Sequence, residues 1–380
     1  MNNAVKHKRK VLHVVGRMHP GGIESLLMNV YRHIDRRRYE FHFAVQSPEP
    51  AFYDDEIREL GGKLFVQPPP SQGLAAFRRA FEDNVKKNGP YDAIHSHVFG
   101  FSGYVLKLAK GLGIPVRIGH SHNTNDSKQS SLRRTAYRMY MRALMRRSAT
   151  NLLGCSRDAC ESLFGRQCWR DGRVDVFPNA IALSPYAALP IDRTLLRSRF
   201  GAEQDDYLLG HIGRFSPQKN HSLLLDAFAQ LLRIRPNARL LLVGDGPLRP
   251  EMERKAKSLG LGDRARFLGL RSDVPELLGT LDAFVLPSLY EGLGIVLIEA
   301  QAAGVPCLVS SGVPEEADLS LGMMQRLGVD ESPQRWAEAM NEMAGRQQES
   351  PTWIEREFAL GKRGYDIRVA AEQLERMYEG

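Results

Sequence analysis

Short apolar runs bounded by turn residues alternate along this chain with longer stretches of helical spacing, and the whole alternation occurs twice. Such a rhythm marks βα units laid on a parallel sheet, because a strand covered on both faces is apolar throughout and its crossover to the next strand requires a helix. In the first half the predicted strands are residues 11–15, 41–45, 63–66, 93–97, 116–119 and 151–155. A first helix is predicted from Gly22, with Leu26, Leu27, Val30, Tyr31 and Ile34 on one face. The second half begins again, with strands at 207–212, 239–243, 265–268, 283–286 and 307–310. The fold class is therefore α/β, with two doubly wound domains in tandem, a number that suits 380 residues. Between them FPNAIALSPYAALPI has neither periodicity and reads as the connection. Open α/β sheets bind ligands beyond the carboxyl ends of their strands, so the expected site is a cleft where the two domains face each other.

A hydrophobic content of 43% with 25% charge is that of a packed globular protein rather than a disordered one. The longest charge-free run, residues 176–191, has 16 residues and three prolines. That falls short of the ~18 apolar residues that span a bilayer. The start MNNAVKHKRK is basic but leads into VLHVVG and a polar turn, with no apolar core of signal-peptide length, so a cytoplasmic location is expected. Cysteines 155, 160, 168 and 307 follow no metal-ligand spacing and read as reduced thiols.

The net charge of +8 is unevenly spread. Residues 1–180 carry 29 Lys and Arg against 16 Asp and Glu, a net of +13, while the remainder carries 23 against 28, a net of −5. A basic domain attracts phosphates on a substrate, a membrane surface or nucleic acid, although solvated helix surface accounts for some of the excess. Nucleic acid is disfavoured, because aromatic and basic residues are not interleaved on a recognisable platform.

Three segments could carry chemistry. In GRMHPGGIESLL, Gly21 and Gly22 leave backbone amides uncovered where a helix begins, which suits an anion or is a plain turn. The segment has neither the dinucleotide G-x-G-x-x-G spacing nor the Walker pattern. HIGRFSPQKNHSLLLDAF delivers Arg214 and Lys219 to a strand end, where two cations suit a diphosphate. In LPSLYEGLGIVLIEAQAAG, Glu291 precedes Gly292 and Gly294 at a helix start, and Glu299 follows inside an apolar helix. A carboxylate there is costly without a partner, and sugar hydroxyls can supply one. His95, His97, His120 and His122 end neighbouring strands; they could form a metal site, but polar residues at a cleft rim are the favoured reading.

Arg214 and Lys219 in GRFSPQKN, followed by EGLGIVLIEA with its E-x7-E spacing, resemble the GT-B retaining glycosyltransferases of family 4. KVLHVVGRMHPGGIESLLMNVYRHID, RIGHSHNTN and VFPNAI resemble the EpsF-like exopolysaccharide and capsule transferases within that family. The resemblance implies two Rossmann-like domains facing a deep cleft, residues 1–185 on the acceptor side and 186–359 holding the nucleotide sugar. A last helix within 360–380 would cross back onto the first domain.

It further implies that Arg214 and Lys219 bind the donor diphosphate, Glu299 the ribose, and Glu291 a hydroxyl of the transferred sugar. The amides of Gly294, Ile295 and Val296 would cap the distal phosphate, and Gly21 and Gly22 would meet the donor from the other domain. His120, or His122 beside it, would stand against the donor sugar. The implied mechanism is retaining and needs neither metal nor cofactor, and the chain has no D-x-D signature. The implied donor is a UDP-sugar in preference to GDP, and the implied acceptor is a glycan carried on polyprenyl diphosphate.

The segment SKQSSLRRTAYRMYMRALMRRSA sets six arginines against Leu132, Tyr137, Met141, Leu144 and Met145. It could lie on the anionic inner face of the cytoplasmic membrane or pack on the sheet as an ordinary helix. A nucleotide-sugar epimerase of the same fold is the alternative activity.

Overall fold

A computed structural model describes residues 8–122, 131–189 and 192–380. The first seven residues of the basic start, the HNTN motif beyond His122, the beginning of the arginine-rich segment (127–130) and the last two residues of the connection lie outside the described residues. The chain forms two compact units: one of residues 1–180 with 366–380, the other of residues 181–365.

The first unit holds seven parallel strands: β1 (Arg9–Val14), β2 (Tyr39–Val45), β3 (Lys63–Val66), β4 (Ala93–Ser96), β5 (Val116–Ser121), β6 (Asn151–Gly154) and β7 (Val174–Val176), in the order β3-β2-β1-β4-β5-β6-β7. The second holds six: β8 (Tyr207–Ile212), β9 (Ala238–Val243), β10 (Ala265–Gly269), β11 (Ala283–Leu286), β12 (Cys307–Ser310) and β13 (Met324–Leu327), in the order β10-β9-β8-β11-β12-β13. Both are Rossmann-like sheets, and the chain has the GT-B fold. Strand order reverses between β1 and β4 in one unit and between β8 and β11 in the other, so loops diverge there and leave room for a ligand.

Sequence reading missed β7 and β13, and both lie at sheet edges. An edge strand is covered on fewer sides, so VDV and MQRL carry polar residues and lack the continuous apolar run that reveals a central strand.

The helix Ile367–Glu379 belongs to the first unit although it ends the chain. It buries Ile367, Ala370, Ala371, Leu374 and Tyr378, and Tyr378 meets Phe41 edge to face at 6.0 Å between ring centroids. Glu375 pairs with Arg38 at 3.1 Å. Each fully buried side chain of the size of Leu374 stabilises by roughly 1.5–3 kcal/mol, far more than that exposed pair. The preceding helix, Trp353–Lys362, stays with the second unit, where Leu360 is buried. The four cysteines are free and buried.

Close backbone packing shapes the carboxyl end of the second sheet. Gly244 follows β9 at φ +134°, and a β-carbon there would lie 2.1 Å from the Gly213 carbonyl oxygen. Only glycine meets both conditions. Gly244→Ala is expected to destabilise the protein by roughly 2 kcal/mol or more, read as a lower urea midpoint with unchanged slope.

Candidate active site

In the second unit, β8 runs into Gly213, Arg214 and Phe215, then a 3-10 turn at Pro217–Lys219. Asn220 takes the left-handed conformation (φ 54°, ψ 42°) and starts the helix His221–Ile234. The loop after β11 carries Glu291 on the far side of the switch point. Lys219 Nζ lies 2.6 Å from Glu291 Oε1, with the two side chains 15% and 6% exposed.

Neighbouring hydrogen bonds fix that pair. The Gln218 amide donates to the Tyr290 carbonyl at 2.9 Å and to Glu291 Oε2 at 3.4 Å. The Leu289 N–H donates to Gln218 O at 2.8 Å, and the Glu291 N–H to Gly312 O at 3.0 Å. A β-carbon on Gly213 would stand 3.1 Å from Lys219 Cε, so the glycine clears the lysine's path. Arg214 is exposed and makes no ion pair among the described residues.

Gly292 is partly exposed, and Gly294 caps the helix Ile295–Ala302 in the left-handed conformation (φ 76°, ψ 63°). This helix start lies beside the ion pair, since a β-carbon on Gly294 would be 3.7 Å from Glu291 Cγ. The Leu297 N–H returns to Gly294 O at 2.8 Å, while the amides of Ile295 and Val296 belong to the first turn, where no intrahelical acceptor exists. Glu299 keeps partial exposure, yet burial of its carboxyl pushes its pKa up to about 7, moderated by a hydrogen bond from Tyr186. The structure thus brings Arg214, Lys219, Glu291 and Gly294 to one rim, with Glu299 further along the helix.

The first unit places Gly21 and Gly22, both exposed, at the start of the helix Gly22–His33. Gly21 is extended (φ −166°), a conformation open to any residue, but a β-carbon there would fall 2.6 Å from Glu24 Oε2. The Glu24 carboxylate therefore already faces this helix start. A β-carbon on Gly22 would lie 3.6 Å from the amide nitrogen of Asn179. His120 is 1% exposed, and its Nδ1 lies 3.1 Å from His95 Nε2. Gly22 and Asn179 thus stand together, while His120 and His122 each meet a histidine at the end of β4.

Sequence reasoning missed several partners. Tyr186 lies in the proline-rich connection, which showed no periodicity to draw attention to it. Gly244, Asp245 and Gly246 form the loop after β9; the Phe215 N–H donates to Asp245 O at 3.0 Å, and a β-carbon on Gly246 would lie 2.6 Å from Phe215 O. The turn sequence GDGP directly after a strand was the available signal. The arginine-rich helix, Leu132–Ser148, divides its apolar residues: Met141, Leu144 and Met145 are buried in the first unit, while Leu132 is 91% exposed.

The family model for glycosyl transferases group 1 matches residues 192–357, and the model for glycosyltransferase family 4 matches residues 20–184. EpsF of Bacillus subtilis (strain 168), a protein assigned as a glycosyltransferase, is 36% identical over 372 residues, covering 98% of this chain and 96% of its own. The chain belongs to this glycosyltransferase family. The Escherichia coli UDP-Gal:alpha-D-GlcNAc-diphosphoundecaprenol alpha-1,3-galactosyltransferase is 23% identical over 316 residues, covering 80% of each chain. Among solved structures, Anabaena HepE in complex with UDP and glucose shares the fold with a TM-score of 0.78 at 22% identity, covering 98% of this chain and 99% of its own.

Removing Lys219 strands a nearly buried carboxylate, so Lys219→Ala should cost roughly 1–3 kcal/mol of stability as well as transfer activity. The double variant Lys219→Met with Glu291→Gln should regain much of that stability in thermal unfolding while remaining inactive. Recovery of transfer by the double variant would show the pair to be structural only.

Proposed function

We propose that the chain is a retaining transferase that moves a hexose or N-acetylhexosamine from a UDP-sugar to a lipid-linked glycan acceptor in exopolysaccharide or capsule biosynthesis. The observation that carries this reading is the Lys219–Glu291 pair at the rim of the second sheet, flanked by exposed Arg214 and the helix start at Gly294. Two cations and a ring of first-turn amides together suit a diphosphate, and the neighbouring carboxylate suits a sugar hydroxyl. In this reading Arg214 and Lys219 hold the diphosphate, Gly292 and Gly294 let the amides of Ile295 and Val296 reach the distal phosphate, and Glu291 accepts a hydroxyl of the transferred sugar. Glu299 accepts the ribose hydroxyls.

As the bond from the anomeric carbon to the phosphate oxygen breaks, negative charge collects on the leaving diphosphate. Arg214 and Lys219 are the groups that stabilise it, and this charge appears most fully in the transition state. The acceptor hydroxyl forms its bond on the face the phosphate leaves, and its proton passes to a departing phosphate oxygen. Configuration is retained without a protein nucleophile, and the two cations supply the neutralisation that a metal would otherwise give.

The HepE complex with UDP and glucose favours UDP as the nucleotide, and the Escherichia coli relative's diphosphoundecaprenol substrate favours a lipid-linked acceptor. No helix among the described residues is long and apolar enough to cross a membrane. Contact with an anionic surface is proposed through the exposed Leu132, Met139 and Tyr140, which stand among arginines on the helix Leu132–Ser148. Gly21, Gly22 and either His120 or His122 are proposed to serve the first unit's share of the reaction.

The direct test offers α-linked UDP-sugars and a polyprenyl diphosphate sugar to the protein. An α-linked product by NMR is expected, and a β-linked product would sink the retaining assignment. Arg214→Ala should lower kcat about 10²–10³-fold while leaving Tm unchanged, because the side chain is exposed and unpaired.

Hydroxyl hydrogen bonds favour the Glu299 carboxylate, whereas burial favours its protonated form up to about pH 7. KM for the UDP-sugar should therefore be flat above that pH and rise by about tenfold per unit below it. Glu299→Gln should abolish that slope in initial-rate measurements.

A further inference from the structure

Five imidazoles meet near the carboxyl end of the first sheet: His13 on β1, His95 on β4, His97 just after it, His120 on β5 and His122 just after that. All are buried, and His13 stands opposite His95 in the register of β1 and β4. A parallel sheet covered on both faces normally fills such a layer with aliphatic side chains. The rings form two files. His13 Nδ1 lies 3.3 Å from His97 Nε2, and His97 Nδ1 lies 2.9 Å from His122 Nε2. In the other file the Tyr378 hydroxyl lies 2.9 Å from His95 Nδ1, and His95 Nε2 lies 3.1 Å from His120 Nδ1. Nε2 of His13 has no hydrogen-bond partner among the described residues, so hydrogen bonding alone does not account for a histidine there.

We propose that His13, His95 and His97 bind one transition-metal ion of the zinc class. One ring nitrogen from each lies within 4.8 Å of the other two. Corners of a zinc tetrahedron with bonds of about 2.0–2.1 Å stand about 3.3 Å apart, so ring movements of about 1 Å close the set. Metal-bound histidines are oriented by a partner on their second nitrogen. Here Tyr378 holds Nδ1 of His95 and His122 holds Nδ1 of His97, so Nε2 of both rings would carry the ion, His95 exchanging its contact with His120 for it and His97 its contact with His13.

Burial keeps the rings neutral, with His13 pushed down to about 3, and neutral imidazole is the form a metal takes up. The group contains nitrogen donors only, which favours Zn(II), Co(II) or Ni(II) over Mg(II) or Ca(II). Since Tyr378 sits on the last helix, the ion would fasten that helix to the sheet. None of the donor-binding residues of the second unit takes part, and although His120 and His122 touch the ligands, the test below reads metal binding and not transfer.

The test uses the full chain, stripped with EDTA, dialysed and titrated with Co(II). One equivalent should bind with visible d–d absorption that Zn(II) displaces, and Tm should rise by several degrees with bound metal. His97→Gln should abolish the absorption. Should that variant not fold, X-ray absorption at the zinc edge of the unsubstituted protein reads the site directly, with three imidazole nitrogens expected at about 2.0 Å. Absence of binding, binding that survives in folded His97→Gln, or a zinc edge showing sulfur or oxygen-only ligands would overturn the inference.

Discussion

The ion pair between Lys219 and Glu291 joins the two loops that diverge at the switch point of the second sheet, and the rest of the site is arranged around it. Gly213 clears the lysine's path, Gln218 supplies Glu291 with a second donor, and Gly294 begins a helix beside the carboxylate. A nearly buried pair of this kind adds little net stability, because desolvation of both charges offsets most of their attraction. Its value lies elsewhere. It holds a cation and a carboxylate in fixed places where a diphosphate and a sugar hydroxyl could take over as partners, so little ordering remains to be done when a donor arrives.

The two ends of the helix start are tuned differently. Glu291 meets a lysine 2.6 Å away, whereas Glu299, eight residues later, meets a tyrosine hydroxyl and has its pKa pushed up to about 7 by burial. Identical side chains on one segment thus stand in different electrostatic surroundings. The same contrast separates the units. The second presents charge at its rim, while the first, in the more basic half of the sequence, sets five neutral histidines at the corresponding edge.

Central strands were legible in the sequence because burial on both faces demands continuous apolar runs, and 207–212, 283–286 and 307–310 coincide with observed strands residue for residue. The edge strands β7 and β13 were not, since partial exposure removes that signal. Arg214, Lys219, Glu291 and Gly294 could be picked out as cations, a carboxylate and a turn glycine at strand ends. Their pairing could not, because Lys219 and Glu291 are 72 residues apart and meet only through the order of β8 and β11. Tyr186 and Asn179 escaped for a similar reason: one lies in the four-residue helix Ser184–Ala187 and the other in irregular chain, and each matters through a contact distant in sequence. His13 was hidden as one polar residue in an apolar strand, and only the register of β1 against β4 sets it opposite His95.

The central claim is that the Lys219–Glu291 pair opens to receive a donor diphosphate. A crystal structure of the chain bound to an intact UDP-sugar tests it most directly. The account expects Lys219 Nζ within hydrogen-bond distance of a phosphate oxygen, the amides of Ile295 and Val296 on the distal phosphate, and Glu291 against a sugar hydroxyl. A diphosphate bound elsewhere, with Lys219 and Glu291 still paired, would contradict it.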